Sequence, residues 1–302
     1  MDSITFVGLG NMGIPMARRL IAAGHDVVGY DPSELARAKA TEAGIPLTAS
    51  LVQAAATTRV LILMLPTSRI VDDVLVADGV LTALPVGATV IDMGSSDPTE
   101  TRRLAALAGS GNRAFVDAPV SGGVGGAERG ALTIMVGGEP VDVEPVLPLL
   151  EAMGSQVRRV GPAGAGHALK ALNNLMSAAH LLVSSEALLV GEAFGLDFAT
   201  MLEVINSSSG RSGSTEAKWP KFILPGTFDS GFGMALMAKD MGIAVSLANA
   251  VGSPAPLSHA ATSLWADAVR EMPAGADHTA IVEWLRRRHN HTEEVDVSPA
   301  AP

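Results

Sequence analysis

The stretch that most constrains this chain runs from Ile4 to Asp31. An apolar run, Ile4–Val7, enters Gly8-Leu9-Gly10-Asn11-Met12-Gly13 directly. A helical pattern over Met12–Ala23 follows, then a second apolar run, Asp26–Tyr30, which ends at Asp31, 18 positions after Gly13. Strand, glycine turn, helix and strand in so short a span predict a parallel βαβ unit. Gly8 permits the tight turn, Gly10 lets the backbone approach a pyrophosphate, and Gly13 lets helix and strand pack closely. The helix N-terminus offers free N–H groups and a positive dipole end. Asp31 can accept hydrogen bonds from ribose hydroxyls. The unit therefore predicts a dinucleotide site on Gly8, Leu9, Gly10, Asn11, Met12, Gly13 and Asp31, against the plainer alternative of a glycine-rich turn with no ligand. A carboxylate at position 31 repels a 2′-phosphate. Pro32-Ser33-Glu34-Leu35 supplies no arginine to neutralise one, and Arg37 is the nearest, so NAD is expected rather than NADP.

The alternation continues to about residue 160. Strand candidates are Val60–Leu65, Thr89–Asp92, Arg113–Ala118, Leu132–Val136 and Gln156–Val160; helix candidates are Glu34–Ala43, Leu51–Ala56, Thr99–Ala108 and Val141–Met153. Nearly continuous apolar strands separated by helices predict a mostly parallel, doubly wound α/β sheet covered on both faces. After Gly161-Pro162-Ala163-Gly164 the pattern becomes helical, over Gly166–Gly195, Phe198–Asn206, Met234–Val251, Leu257–Glu271 and His278–Arg288. The expected organisation is a Rossmann domain over 1–163 and an all-α substrate and oligomerisation domain over 164–291, entered through a long interdomain helix. An acidic, Ala/Pro-rich tail over 292–302 is expected to be disordered.

Composition narrows the function classes. The net charge of −10 argues against a nucleic-acid partner. Arg286-Arg287-Arg288-His289 reads first as a solvated helix end. With no cysteine there is no disulfide, thiolate metal site or cysteine nucleophile. Met1-Asp2-Ser3 lacks the basic start of a signal peptide, and the apolar stretch Leu169–Val190 is interrupted by Lys170, Asn173, Asn174, His180 and Glu186. The expectation is a cytoplasmic protein without a membrane span, with that stretch as a helix buried in protein. Aromatic residues are 4%, so the core is expected to be aliphatic.

Four further places carry candidate chemistry. Leu65-Pro66 and Ser95 close strands at the sheet edge where open α/β folds bind ligands. In Asp117-Ala118-Pro119-Val120-Ser121-Gly122-Gly123, a hydroxyl among small residues suits a carboxylate cradle and equally a surface loop. Lys170 and Asn174 are four apart on an apolar helical pattern, so they share a face. A desolvated lysine there can act as general acid or base, whereas one that snorkels to water cannot. Lys239-Asp240 reads as an ion pair or as a positive group facing cofactor. His167, His180 and His259 lack metal-ligand spacing and are expected to be structural, and no metal is expected.

These motifs together resemble the β-hydroxyacid dehydrogenase family, of which 3-hydroxyisobutyrate dehydrogenase is a member. The resemblance spans roughly residues 3–289 and rests on Phe6 to Ala17, Asp117 to Gly123, Gly164 to Asn174 and Phe232 to Asp240. It implies Lys170 as catalytic acid/base, Ser121, Gly122, Gly123 and Asn174 on the substrate, and Leu65, Pro66 and Ser95 beside the nicotinamide. Lys239 would touch cofactor or substrate. It also implies a homo-oligomer, dimer or tetramer, and a small hydroxy acid or semialdehyde substrate such as 3-hydroxyisobutyrate, tartronate semialdehyde or succinic semialdehyde. The chain departs from the family at Arg18-Arg19 and Ile70, where asparagine is common. Alternatives are a 6-phosphogluconate-type enzyme, which the short acidic chain disfavours, an imine reductase relative, and a non-catalytic NAD-binding regulator or scaffold.

Overall fold

A computed structural model describes residues 3–295. The chain divides into two compact units, Met1–Ala171 and Leu172–Pro302.

In chain order the first unit comprises β1 (Ser3–Val7), α1 (Gly13–Ala22), β2 (Asp26–Tyr30), α2 (Glu34–Glu42), α3 (Leu51–Ala55), β3 (Val60–Leu63), α4 (Ser68–Asp72), a π-helical turn Asp73–Ala77, α5 (Val80–Ala83), β4 (Thr89–Asp92), α6 (Pro98–Ser110) and β5 (Ala114–Asp117). It continues with β6 (Val120–Ser121), α7 (Gly123–Arg129), β7 (Thr133–Gly137), α8 (Pro140–Val143), α9 (Leu147–Met153) and β8 (Gln156–Gly161). The sheet runs β2-β1-β3-β4-β5-β7-β6, with β8 paired to β7. β1 to β5 are parallel, β7 is antiparallel to β5 and β6, and β8 is parallel to β7. β2 and β3 flank β1, so strand order reverses there, and in open α/β sheets the ligand crevice lies at the carboxyl ends beside such a reversal. Alternate strand residues feed two buried clusters: Ile4, Phe6, Ile62, Ile91 and Val116 in one, Val7, Leu61, Leu63, Val90 and Phe115 in the other. Period-2 alternation on a sheet covered on both faces produces this division.

Local chemistry sets the deviations from the expected elements. Val141–Met153 is not one helix: a 3-10 turn, Glu144–Val146, separates α8 from α9. Pro145 and Pro148 lack the N–H that an unbroken ladder needs. The stretch Asp117–Gly123, read as a carboxylate cradle or a surface loop, pairs briefly as β6 at Val120–Ser121 and runs into α7 at Gly123.

α10 (Ala165–Phe194) spans the division between the units. The second unit continues with α11 (Phe198–Asn206), a π-helix Ser214–Ile223 containing Pro220, α12 (Met234–Ala250), α13 (Pro256–Glu271), a 3-10 turn His278–Ala280 and α14 (Ile281–Val295). α14 extends past residue 292, and residues 296–302 of the stretch 292–302 lie outside the described residues. The core of this unit is less aliphatic than its composition suggests: Trp219, Trp265 and Trp284 are all at most 1% exposed within it. By length and composition α10 could cross a membrane. It is not wholly buried in protein. Leu169, Met176, Val183 and Val190 recur every seven residues along it and are exposed, while Ala171, Ala178, Leu181 and Leu188 are buried.

Candidate active site

The dinucleotide candidates cluster where β1 meets α1. Gly8 has φ +94°, and a Cβ there would sit 2.3 Å from the Met64 carbonyl oxygen. A Cβ on Gly13 would lie 1.8 Å from the Gly8 carbonyl oxygen, so the turn and helix admit nothing larger than hydrogen. At Gly10 an added Cβ meets nothing within 4 Å. That is the open approach a pyrophosphate needs beside a helix N-terminus. A cavity of about 300 Å³ lies there, lined by Leu9, Gly10, Asn11 and Ser33 among others. Asp31 directly follows β2 with both carboxylate oxygens engaged: the Leu9 N–H donates to Oδ2 and the Ser33 N–H to Oδ1, each at 2.8 Å. The carboxylate is thereby held over the glycine turn. Arg37 Nη1 donates to the carbonyls of Asp31 and Pro32 at 2.9 and 2.8 Å. These residues fit a bound dinucleotide.

The remaining first-unit candidates follow the carboxyl ends of β3, β4 and β5. Leu65 is buried and Pro66 exposed, just before Thr67 caps α4. Gly94 packs so close to this segment that a Cβ would lie 2.5 Å from the Leu65 carbonyl oxygen, and Ser95 follows it, half-buried. Ser121 ends β6 opposite Thr133. Gly122 and Gly123 have φ +131° and +62°, a backbone turn that favours glycine.

Asp117 and Lys170 are linked through the start of α10. Asp117, fully buried at the end of β5, accepts the backbone N–H of Gly164 at 2.7 Å and of His167 at 2.9 Å. It therefore acts as a helix cap supplied from a strand 47 residues earlier. A Cβ on Gly166 would come within 2.8 Å of the same carboxylate and 2.3 Å of the Met135 carbonyl oxygen. His167 is buried, its Nδ1 2.7 Å from Thr101 Oγ1 and its Nε2 3.7 Å from Asp92 Oδ2. Asp92 accepts in turn from Ser96 Oγ at 2.7 Å and from the Gly94 N–H at 3.0 Å. Lys170, three residues beyond His167, is 8% exposed. Sequence reasoning missed the capping role of Asp117 and the anchors Thr101 and Asp92; His167, expected to be structural, is buried among them. The available signal was an aspartate ending each of two apolar strands, Asp92 and Asp117, as Asp31 follows β2.

The second unit holds Asn174 and Lys239. Asn174 is buried, and its Nδ2 donates to Asp240 Oδ2 at 2.6 Å. Lys239 Nζ is 3.0 Å from Asp240 Oδ1. Asp240 thus orients both residues, and the Lys239-Asp240 pair is an ion pair within α12. No group of three or more His, Cys, Asp or Glu suited to a metal occurs among the described residues.

The fold and the glycine turn define a dinucleotide-binding α/β protein with a helical second unit. Comparison with known proteins agrees. Residues 3–161 match the family described as the NAD binding domain of 6-phosphogluconate dehydrogenase. Residues 164–285 match the family described as the NAD-binding domain of NADP-dependent 3-hydroxyisobutyrate dehydrogenase. The chain is 38% identical over 280 residues to 2-(hydroxymethyl)glutarate dehydrogenase of Eubacterium barkeri, covering 92% of this chain and 93% of that one. It is 36% identical over 288 residues to NAD-dependent L-serine dehydrogenase of Pseudomonas aeruginosa, covering 93% and 97%. The structure of Mycobacterium tuberculosis 3-hydroxyisobutyrate dehydrogenase with L-serine superposes at a TM-score of 0.88 with 36% identity, covering 95% of this chain and 99% of that one. The chain belongs to the β-hydroxyacid dehydrogenase family, and is an oxidoreductase.

Proposed function

We propose that this protein interconverts a small β-hydroxy acid and its semialdehyde or oxo acid, using NAD and Lys170 as general acid/base. The observation that carries this reading is the position of Asp117. One buried carboxylate ends the strand that leads to Ser121-Gly122-Gly123 and also caps the helix turn that leads to Lys170. The carboxylate cradle and the proton-transfer group therefore share an anchor, as a reaction at the β carbon, one removed from the α carbon that carries the bound carboxylate, demands. Ser121 and the Gly122 and Gly123 backbone hold the substrate carboxylate. Asn174, oriented by Asp240, holds the hydroxyl oxygen, and Lys239 steadies the charged end of cofactor or substrate. Leu65, Pro66 and Ser95 border the nicotinamide. When bound, the nicotinamide supplies the hydride acceptor. The Lys170 amine takes the hydroxyl proton as the carbon gives up its hydride, and returns a proton to the carbonyl oxygen in the reverse direction.

Asp31 favours NAD because its fixed carboxylate meets a 2′-phosphate with like charge, while Arg37 is engaged by main-chain carbonyls. Candidate substrates are 3-hydroxyisobutyrate and 2-(hydroxymethyl)glutarate, and, in the reducing direction, tartronate and succinic semialdehydes. The exposed heptad of apolar residues on α10 supports a homo-oligomer, dimer or tetramer, buried through that face. We assign the protein to the cytoplasm, where its cofactor is available. The test is absorbance at 340 nm with NAD across a panel of β-hydroxy acids, on wild type and Lys170→Met. Turnover should fall about 10²- to 10⁴-fold in the variant with NADH affinity within threefold. A variant that keeps most of its kcat would reject the role of Lys170.

A further inference from the structure

Lys218 stands on the π-helix Ser214–Ile223 and is half-buried. Its Nζ donates to Ser177 Oγ at 2.8 Å. Ser177 lies on α10 three positions beyond Asn174 and seven beyond Lys170. At 3.6 residues per turn, positions 170, 174 and 177 fall within an arc of about 60° on one helix face. Lys218 therefore extends the row that the proposed acid/base and the substrate-binding asparagine begin. Burial pushes its ammonium down from the ordinary 10.5 to about 8, against a smaller opposing pull from Asp277. Asp277 is itself engaged by Ser230, Phe232, Thr279 and the Gly231 N–H. Among the described residues no carboxylate is recorded within ion-pairing distance of Lys218. A cation partly removed from water, whose nearest counter-charge, Asp277, lies beyond ion-pairing distance and is bonded to other groups, is stabilised when an anion arrives beside it.

We propose that Lys218 and Ser177 form a subsite for the distal carboxylate of the substrate, so that the enzyme selects β-hydroxy dicarboxylates over their monocarboxylate counterparts. This rests on the reading of Lys170 and Asn174 as substrate-facing.

The first measurement is calorimetric titration of the NADH-loaded enzyme with glutarate and with butyrate. Glutarate should bind at least tenfold tighter at pH 7. The contrast should shrink at least tenfold by pH 10, as Lys218 loses its proton while Asp277 stays ionised. In Lys218→Met it should fall below threefold with butyrate affinity unchanged, and Lys218→Arg should restore part of it. For turnover, the kcat/KM ratio of 2-(hydroxymethyl)glutarate to 3-hydroxyisobutyrate should drop at least tenfold in Lys218→Met. Equal affinities in the wild type, or a contrast that survives at pH 10 or in Lys218→Met, would overturn the subsite. Failure of the underlying reading looks different: no acid is turned over and Lys170→Met changes nothing, while the glutarate contrast is still measured. If Lys218→Met does not fold, the wild-type pH series decides alone.

Discussion

Asp117→Asn isolates the junction on which the proposed chemistry depends. The native carboxylate accepts two backbone N–H groups, from Gly164 at 2.7 Å and His167 at 2.9 Å, in a site with no solvent exposure. Hydrogen bonds to a charged acceptor contribute about 1.5–3 kcal/mol each, and a buried donor left unpaired costs about 1–3 kcal/mol. An asparagine keeps one acceptor oxygen, so one bond survives in weaker, neutral form. Its amide hydrogens then face the other N–H, which loses its partner. The sum is a destabilisation of about 3 kcal/mol. A unit of this size loses about 2–4 °C per kcal/mol, so its melting midpoint should fall by about 6–12 °C. Thermal and urea melts followed by circular dichroism read this directly. Function should divide unevenly. Gly8, Gly10 and Gly13 follow β1, separated from β5 in the sheet by β3 and β4, so NADH affinity should change less than threefold. Lys170 sits three residues past the cap, so kcat should fall tenfold or more in enzyme that is still folded. A loss of under 1 kcal/mol would refute the capping argument. Equal losses in NADH affinity and kcat would refute the division.

Two further outcomes follow from the same geometry. In Asp31→Ser the 2′-phosphate no longer meets a fixed carboxylate, and the kcat/KM ratio of NADP to NAD should rise at least tenfold; an unchanged ratio would show that cofactor choice lies elsewhere. For Lys218 the sign is set by a folded-state pKa lowered from 10.5 to about 8. The unfolded chain binds the extra proton, so the penalty is fully present below pH 8 and disappears as pH rises past 10.5. The whole fall corresponds to about 3 kcal/mol, cut to about 1 kcal/mol by solvent screening of a half-buried group. Lys218→Met should therefore melt a few degrees higher than wild type at pH 7 and at the same temperature near pH 11. Equal midpoints at pH 7 would contradict it.

What the sequence made legible was local. The turn at Gly8–Gly13 could be read because a positive φ and two near-contacts demand glycine within six consecutive residues, and the buried strands because period and β-branching act within each run. Lys170 and Asn174 could be paired because helix spacing alone puts them on one face. Distant partners were not legible. Nothing near Asp117 announces that its carboxylate caps a helix 47 residues on. Asp240 looks like the other half of Lys239 until Asn174 is found on its second oxygen. Pro220 argues against the helical turn that carries Lys218, and only a π-helical ladder accommodates it. Each missed residue is a polar group that acts through a partner on another element, whereas the Gly8–Gly13 turn and the Lys170–Asn174 spacing are set within their own segments. The residues that hold the reacting groups in place are therefore mainly those that single-segment patterns cannot reveal. The same distinction explains why the family resemblance predicted the reaction class, whose motifs are contiguous, yet left substrate choice open. On the present structure that choice falls to Lys218 and Ser177, 41 residues apart in the chain and 2.8 Å apart in space.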